Sequence, residues 1–286
     1  MKEFFENQKI ELYAYAPLSK CKILKPYLLE KNGLDSDCGA VIMLIPYRSE
    51  VKPKNLSVYA SVRDYHGFAA MLQREGEKYI KERFPKARFN FFADHSPIDE
   101  VHAACISGLG FIGRNGLLIN EKYSSFVFLC ELITDLTPEE MGLPQFTDRE
   151  VTTCIGCGAC EKACPSNCMD ENDPRPKSEC LSAITQKKGA LTDNEIKMIL
   201  DSGCIWGCDV CQNVCPHTKK AEFTKLPYFT EDVISSLTVE LLDSMTDEEF
   251  YSRPFSWRGR DVIRRNLTLP SAEKEKPSPT GEDKKI

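Results

Sequence analysis

Two short cysteine runs dominate the chemistry open to this chain. "CIGCGACEKACP" sets Cys154, Cys157, Cys160 and Cys164 at C-x2-C-x2-C-x3-C-P. "CIWGCDVCQNVCP" sets Cys208, Cys211 and Cys215 at C-x2-C-x3-C-P, with Cys204 four residues ahead. The first is the bacterial ferredoxin spacing, in which close thiolates wrap one face of a [4Fe–4S] cubane and the fourth serves the neighbouring cluster. The proline after the last cysteine turns the chain away and aims that thiol across. Two clusters need eight thiolates, and crossing the fourth ligands divides them into two sets. Cluster one takes Cys154, Cys157, Cys160 and Cys215. Cluster two takes Cys164, Cys208, Cys211 and one of Cys180 or Cys204. A pair of structural zinc sites is the competing use of such thiolates, but two runs ending in C-x3-C-P favour iron–sulfur.

Composition fits that reading. The chain has 286 residues, 14 of them cysteine, and a net charge of −6. No apolar run reaches the length of a membrane span, and "MKEFFENQKIELYAYAP" lacks the basic and apolar regions of a secretion signal. A reducing cytoplasm is therefore expected, where clustered cysteines serve as ligands rather than disulfides. The acidic balance argues against broad attraction to nucleic acid and leaves room for a local basic patch. Cys21, Cys38, Cys105 and Cys130 lie in apolar surroundings and read as small core residues. Cys168 reads as a spare thiol beside the site.

About 150 residues precede the first run, so the electrons have a destination within the chain. "AVIMLIPY" (40–47) is a continuous apolar run, the pattern of a strand covered on both faces. Apolar residues at helical spacing predict a helix from Asp64 to about Phe84, ended by Pro85. "ARFNFFAD" (87–94) reads as a strand. "SPIDE" after it predicts a helix with Ser96 as N-cap, Pro97 at the first position and Asp99 completing a box, running to Ser107. "SSFVFLCELITDL" (124–136) is strand-like again, which makes the first part a mixed α/β domain. Residues 137–150 read as a connector. An acidic helical segment with Leu241, Leu242, Met245 and Phe250 comes later, and the last residues are too polar to fold.

"GLGFIG" (108–113) carries the letters of a dinucleotide-binding turn, but a predicted helix precedes it where a strand is required. Gly108 is better placed as the residue ending that helix. Gly110 and Gly113 let the backbone approach something closely.

In their order, "VYASVRDYH" (58–66), "ADHSP" (93–97), "GLGFIGRNGLLIN" (108–120), "SSFVFLCELITDL", both cysteine runs, "ECLSAITQKKG" (179–189) and "RDVIRRN" (260–266) resemble the epoxyqueuosine reductases. These are cobalamin and iron–sulfur enzymes of tRNA queuosine biosynthesis, related to the reductive dehalogenases. The resemblance spans roughly residues 40 to 268. It implies an α/β fold with a cobalamin-binding domain over 1–145 and a ferredoxin-like two-[4Fe–4S] domain over 146–225. A short helical segment (226–268) and a disordered tail (269–286) would follow. It implies reduction of epoxyqueuosine in tRNA to queuosine, electrons passing from an external low-potential donor through the clusters to cobalt in a monomeric protein.

By position, the resemblance makes Asp94 the proton donor and Cys180 the last ligand of cluster two. Tyr59, Asp64, His66, Gly110, Gly113, Arg114, Asn115, Ser125 and Phe126 become contacts of the cobalamin, beside Asp94 itself. The corrin is then what Gly110 and Gly113 approach. On its own, His66 reads as a histidine satisfied at a helix start. Arg258, Arg260, Arg264 and Arg265 are either a solvated helix face or contacts to tRNA phosphates.

The chain departs from the family at Phe111, Arg114 and Cys130, where tryptophan, lysine and glycine are usual, and in having no helical repeat extension. Two alternatives follow: a corrinoid reductase of a small molecule, and a non-catalytic two-cluster electron carrier.

Overall fold

The computed structural model describes residues 1–169 and 178–270. Its centre is a four-stranded sheet built from β1 (Leu12–Pro17), β2 (Gly39–Pro46), β3 (Phe89–Phe92) and β6 (Val127–Thr134). The spatial order is β1-β2-β6-β3, with every pairing antiparallel. Each residue of β2 is buried, as its unbroken apolar run requires. Val41, Met43 and Ile45 enter the core on one face, while Ala40, Ile42 and Leu44 enter the core on the other.

Helix α1 (Tyr65–Arg83) covers the first face with Phe68, Leu72 and Ile80, and α2 (Glu100–Ile106) covers the second with Ala103, Ala104, Cys105 and Ile106. Asp64 caps α1 by accepting the His66 N–H at 3.0 Å. The start of α2 differs from expectation. Asp99, not Ser96, is its N-cap, accepting the His102 N–H. The Ser96 hydroxyl instead accepts the Ile98 N–H. The reason is tertiary: Leu24 and Lys25 N–H both donate to the Pro97 carbonyl, and Ile23 bridges to Ile98. That pairing holds residues 97–98 extended and delays the helix.

Gly108 ends α2 as expected. Its φ is +84°, its N–H reaches the Cys105 carbonyl, and the Leu109 N–H reaches that of Ala104. This double bond pattern is the glycine-terminated Schellman motif. The next glycines serve a hairpin of β4 (Phe111–Ile112) and β5 (Leu118–Ile119). A Cβ on Gly110 would lie 2.5 Å from the Ile119 carbonyl oxygen, and one on Gly113 would lie 2.4 Å from Asn115 Oδ1. The close approach these glycines permit is to their own hairpin.

The cysteine region is attached to that hairpin. Ile112 N–H donates to the Thr152 carbonyl and Cys154 N–H to that of Ile112. The helices that follow are short: α3 (Ala159–Ala163), α4 (Leu181–Thr185), α5 (Asp193–Ser202) and α6 (Val210–Asn213). The acidic helical segment is two helices, α7 (Val239–Ser244) and α8 (Asp247–Tyr251), split at an extended Met245. With α9 (Arg260–Leu267) they bury Trp206, Phe250, Phe255 and Ile263 in a separate core. Within the expected connector, Thr137 forms a capping box over Pro138–Met141. Residues 271–286, most of the expected disordered tail, lie outside the described residues. Among the described residues, no helix is long and apolar enough to cross a membrane.

Gly76 shows how tightly α1 meets the sheet. A Cβ there would lie 2.3 Å from Phe91 Cζ, and Phe91 is buried on β3. Alanine improves helix propensity by about 1 kcal/mol, but overpacking a filled core costs about 1–3 kcal/mol. Gly76→Ala is therefore expected to lower the denaturation midpoint in chemical unfolding; a raised midpoint would mean that this contact yields freely.

Candidate functional site

Reactive side chains gather in two groups, one beside the start of α1 and one among the cysteines. The first centres on Asp94, which follows β3 and has φ +62°. The His95 N–H donates to the Ala93 carbonyl across it at 2.6 Å, closing a tight three-residue turn. Such turns with positive φ are strained and cluster at sites where a side chain must be presented. Asp94 is exposed. Its N–H is held by Glu100 Oε1 at 3.0 Å, and its carboxylate faces Tyr65 and opposes ionisation of that phenol, after burial has already disfavoured it. His95, beside it, accepts from the Lys25 ammonium through Nδ1 at 3.2 Å, which leaves Nε2 to face the Tyr27 hydroxyl at 3.3 Å.

His66 joins this group. Its Nδ1 lies 2.9 Å from Asp64 Oδ1, the atom that also caps the helix. That hydrogen bond raises the imidazole's pKa above its ordinary value, against an opposing effect of burial, with the Asp64 and Asp94 charges helping. His66, Ala69, Ala70, Ala93, His95 and Cys130 line an open cleft of about 240 Å³. Its wall mixes these small side chains with the larger Leu72, Gln73, Phe91 and Phe92.

The second group is the cysteines. Cys154, Cys157, Cys160, Cys211 and Cys215 line one narrow pocket together with Arg114 and Asn115. Arg114 pairs with Glu161 at 2.7 Å. Burial pushes the Cys208 thiol up to about 11, and the nearby Cys180, Asp209 and Cys164 add to the push. Burial likewise pushes Cys211 up to about 12, aided by Cys208, Cys180 and Cys160 and opposed by a hydrogen bond from Asn115. Cys180, Cys208 and Cys211 are thus mutual neighbours. Cys204 is turned elsewhere, its thiol donating to the Trp206 and Gly207 carbonyls, each at 3.3 Å. Cys168 is buried, its sulfur 3.8 Å from that of Cys164.

A stacked aromatic column joins the two groups. Tyr47 stacks on Phe128 (4.2 Å), Phe128 on Tyr65 (4.3 Å), and Tyr65 on His66 (4.1 Å). At the cysteine end the Tyr47 hydroxyl meets Gln212, which also accepts from the buried Ser125 hydroxyl at 3.0 Å. Gln212 follows Cys211 directly, so one amide ties the second cysteine run to the sheet.

The residues expected around one cofactor therefore divide. Asp64, His66 and Asp94 lie together near the start of α1, where His66 and the neighbours of Asp94, Ala93 and His95, line the cleft. Arg114, Asn115 and Ser125 lie on the cysteine side, with Gly110 and Gly113 in the hairpin beneath. Tyr59 accepts from Gln186 at 3.2 Å between α4 and the core. Phe126 is fully buried under Arg48, which leaves its ring no surface for a ligand. Cys21, Cys38, Cys105 and Cys130 are buried, as small core residues should be.

Three of the four arginines near the C-terminal end are engaged internally. Arg260 holds the Leu242 and Met245 carbonyls, Arg264 pairs with Asp243, and Arg265 holds those of Lys187 and Gly189. Arg258 stacks on Trp257. Sequence reasoning missed Gln212, His95, the aromatic column and the carboxyls Glu100 and Glu131. Glu131 had a visible signal: one acidic residue inside the apolar run "VFLCELIT".

Residues 153–218 match the family described as a 4Fe-4S double cluster binding domain. The epoxyqueuosine reductase of Lactococcus garvieae is 30% identical over 230 residues, covering 78% of this chain and 62% of that protein. That of Gloeobacter violaceus is 31% identical over 215 residues, covering 73% and 64%. The chain thus spans less than two-thirds of the length of either. The solved epoxyqueuosine reductase from Streptococcus thermophilus superposes with a TM-score of 0.70 at 21% identity, covering 93% of this chain and 78% of that one. A crystal structure of epoxyqueuosine reductase with an epoxyqueuosine-modified tRNA-Tyr stem loop gives 0.71 at 22%, covering 94% and 80%. In sequence this chain is similar to the epoxyqueuosine reductases over about three-quarters of its length, and it shares their fold.

Proposed function

We propose that this chain reduces epoxyqueuosine in tRNA to queuosine, with Asp94 as the proton donor. The observation that carries the reading is the pairing of an exposed, strained carboxyl with two cysteine runs, joined through a stack of aromatic rings. The reaction takes up two electrons and two protons: both epoxide C–O bonds break, the oxygen leaves as water, and an alkene remains. A solved relative whose catalytic aspartate loop is described as swung out of the active site is in keeping with a mobile acid at this position.

The division of labour follows from the residues. Cys154, Cys157, Cys160 and Cys215 would hold one [4Fe–4S] cluster; Cys164, Cys180, Cys208 and Cys211 would hold the other. Buried thiols that disfavour one another's ionisation suit a set of ligands to cationic iron, which stabilises the thiolates directly. The thiol bonds that Cys204 makes to backbone carbonyls support Cys180 as the eighth ligand. The open cleft beside α1, where Ala69, Ala70 and Ala93 leave room at its wall, is where a cobalamin would be held, and a bound cobalamin would supply the metal centre that hands electrons to the epoxide carbons. His66, paired with Asp64, lines that cleft, and Asp94, between the lining residues Ala93 and His95, delivers the proton. A general acid must come within hydrogen-bond reach of the departing oxygen, which an exposed turn allows.

The division into a cobalamin-binding part, a two-cluster part and a helical segment, a cytoplasmic setting, and an external low-potential donor belong to this same proposal. The internal engagement of Arg260, Arg264 and Arg265 favours a structural role for that segment over phosphate contact.

Asp94→Asn should lower kcat for epoxyqueuosine reduction by at least ~10²-fold while leaving iron content and corrin binding intact; nucleoside analysis of the tRNA product reads the first. Turnover close to wild type would remove Asp94 as the acid, and an active enzyme that ignores modified tRNA would point to a small-molecule substrate.

Cys180→Ser should cost about half of the iron and sulfide per chain, since each cluster takes four thiolates, while Cys204→Ser leaves both unchanged. The reverse pattern would exchange their roles.

His66 should titrate above 6.5, the ordinary value for its imidazole. Pairing with Asp64 then contributes stability that is complete below that value and is lost as pH rises through the raised one. The side chain is 57% exposed, so the contribution is only about 0.2–1 kcal/mol. Asp64→Asn keeps a capping oxygen but should bring the imidazole titration, followed by NMR, back down; an unmoved titration would assign the shift to another source.

A further inference from the structure

Glu131 is fully buried on β6, opposite Phe92 of β3 and Ile42 of β2. Neither of its carboxyl oxygens makes a hydrogen bond of normal geometry. Its polar neighbours are the Glu100 carboxyl from α2 and the Ser96 hydroxyl, with Asp94 acting on it from the same turn. Cys130 adjoins it in the strand, and Cys21 feels its charge from the segment after β1. Lys25 is the cation that reaches this set, and it acts on Glu100. Tyr65 feels both Glu100 and Asp94 from the other face.

An ionised carboxylate sealed among these groups would lack both water and a cation, so the acid form is favoured. A protonated carboxyl becomes a donor, and Glu100 is the acceptor beside it. Glu100 then has a second task, because its Oε1 accepts the Asp94 N–H at 3.0 Å. Burial raises the pKa of both glutamates, in line with a single proton held between them. A residue at positive φ keeps that conformation only where its surroundings enforce it, and this bond is the one that grips the Asp94 N–H itself.

We propose that Glu131 is a positioning residue for Asp94: as a carboxylic acid it donates to Glu100, which thereby stays fixed on the Asp94 N–H and holds the strained turn. Glu131 touches neither substrate nor cofactor in this role. The proposal rests on the reading of Asp94 as proton donor, but its structural half stands apart from that reading.

Two variants test it. Glu131→Gln keeps a donor and removes the titratable proton; Glu131→Leu removes both while filling the space with an apolar group. The carboxylic-acid C=O stretch in infrared spectra at neutral pH should be present in the wild type and lost in Glu131→Gln. Crystal structures should keep the Asp94 turn in Glu131→Gln and show it opened in Glu131→Leu. With modified tRNA, Glu131→Leu should lower kcat on the order of 10- to 100-fold, as misplacement of a reacting group does, with little change in KM. Glu131→Gln should retain kcat at neutral pH and lose the alkaline fall that departure of the shared proton produces in the wild type; Tyr65, His66 and His95 are unaltered in that comparison. No acid band in the wild type, an unmoved turn in Glu131→Leu, or the same alkaline fall in Glu131→Gln would overturn the proposal. A wild-type protein inactive on modified tRNA, yet showing the acid band and the variant-dependent turn, would overturn the reductase reading and leave the coupling of Glu131 to the turn supported.

Discussion

The register between β2 and β6 is the constraint on which the rest of the molecule depends. Pairs from Gly39↔Thr134 to Pro46↔Val127 fix eight successive residues. Side chains alternate along β6, so Phe128, Cys130 and Leu132 face the α1 side, while Leu129 and Ile133 face the α2 side with Glu131 in step between them. A shift of one residue would exchange these faces. It would bury the aromatic column's middle ring among the α2 contacts and turn a carboxyl toward the cavity. Both faces of the sheet are packed with apolar side chains, so each wrong register exposes a polar group to the core, and the pairing is strongly specified.

From that strand the two reactive groups are reached by different physical means. Phe128 leads to the cysteines through ring stacking and the buried amide of Gln212. Glu131 leads to Asp94 through carboxyl groups. One path is apolar and polarizable, the other is a line of hydrogen bonds, and they leave the same strand on opposite faces. The two meet at Tyr65, which packs between Phe128 and His66 in the column and feels the charges of Asp94 and Glu100.

The sequence was most legible where the cause is local. The long helix beginning at Asp64, the Gly108 helix end and the doubly covered β2 run depend on a few adjacent residues, and each is found as read. The cap at Ser96 failed because Pro97 and Ile98 pair with a segment more than seventy residues earlier, which no local pattern records. Gly110 and Gly113 were given the right property, close approach, with a different neighbour: the hairpin's own return strand. The C-terminal arginines were undecided for a related reason, since the carbonyls held by Arg265 lie in the loop after α4. The cofactor contacts expected as one group divide because Arg114 and Asp94 stand at opposite ends of α2, an arrangement visible only after folding.

That position of α2 carries its own consequence. Its first residue, Glu100, grips the acid's turn; its terminal glycine hands the chain to the hairpin whose Asn115 bonds Cys211. Seven helical residues measure about 10 Å, at 1.5 Å each. The helix is thus a ruler between the thiol end and the acid end, rigid because three of its alanine and cysteine side chains are packed against the sheet. Adding one residue would lengthen it only slightly but would rotate everything beyond by about 100°, one step of a 3.6-residue turn. Side chains around the two ends can change independently, but the phase of this helix ties the ends to each other.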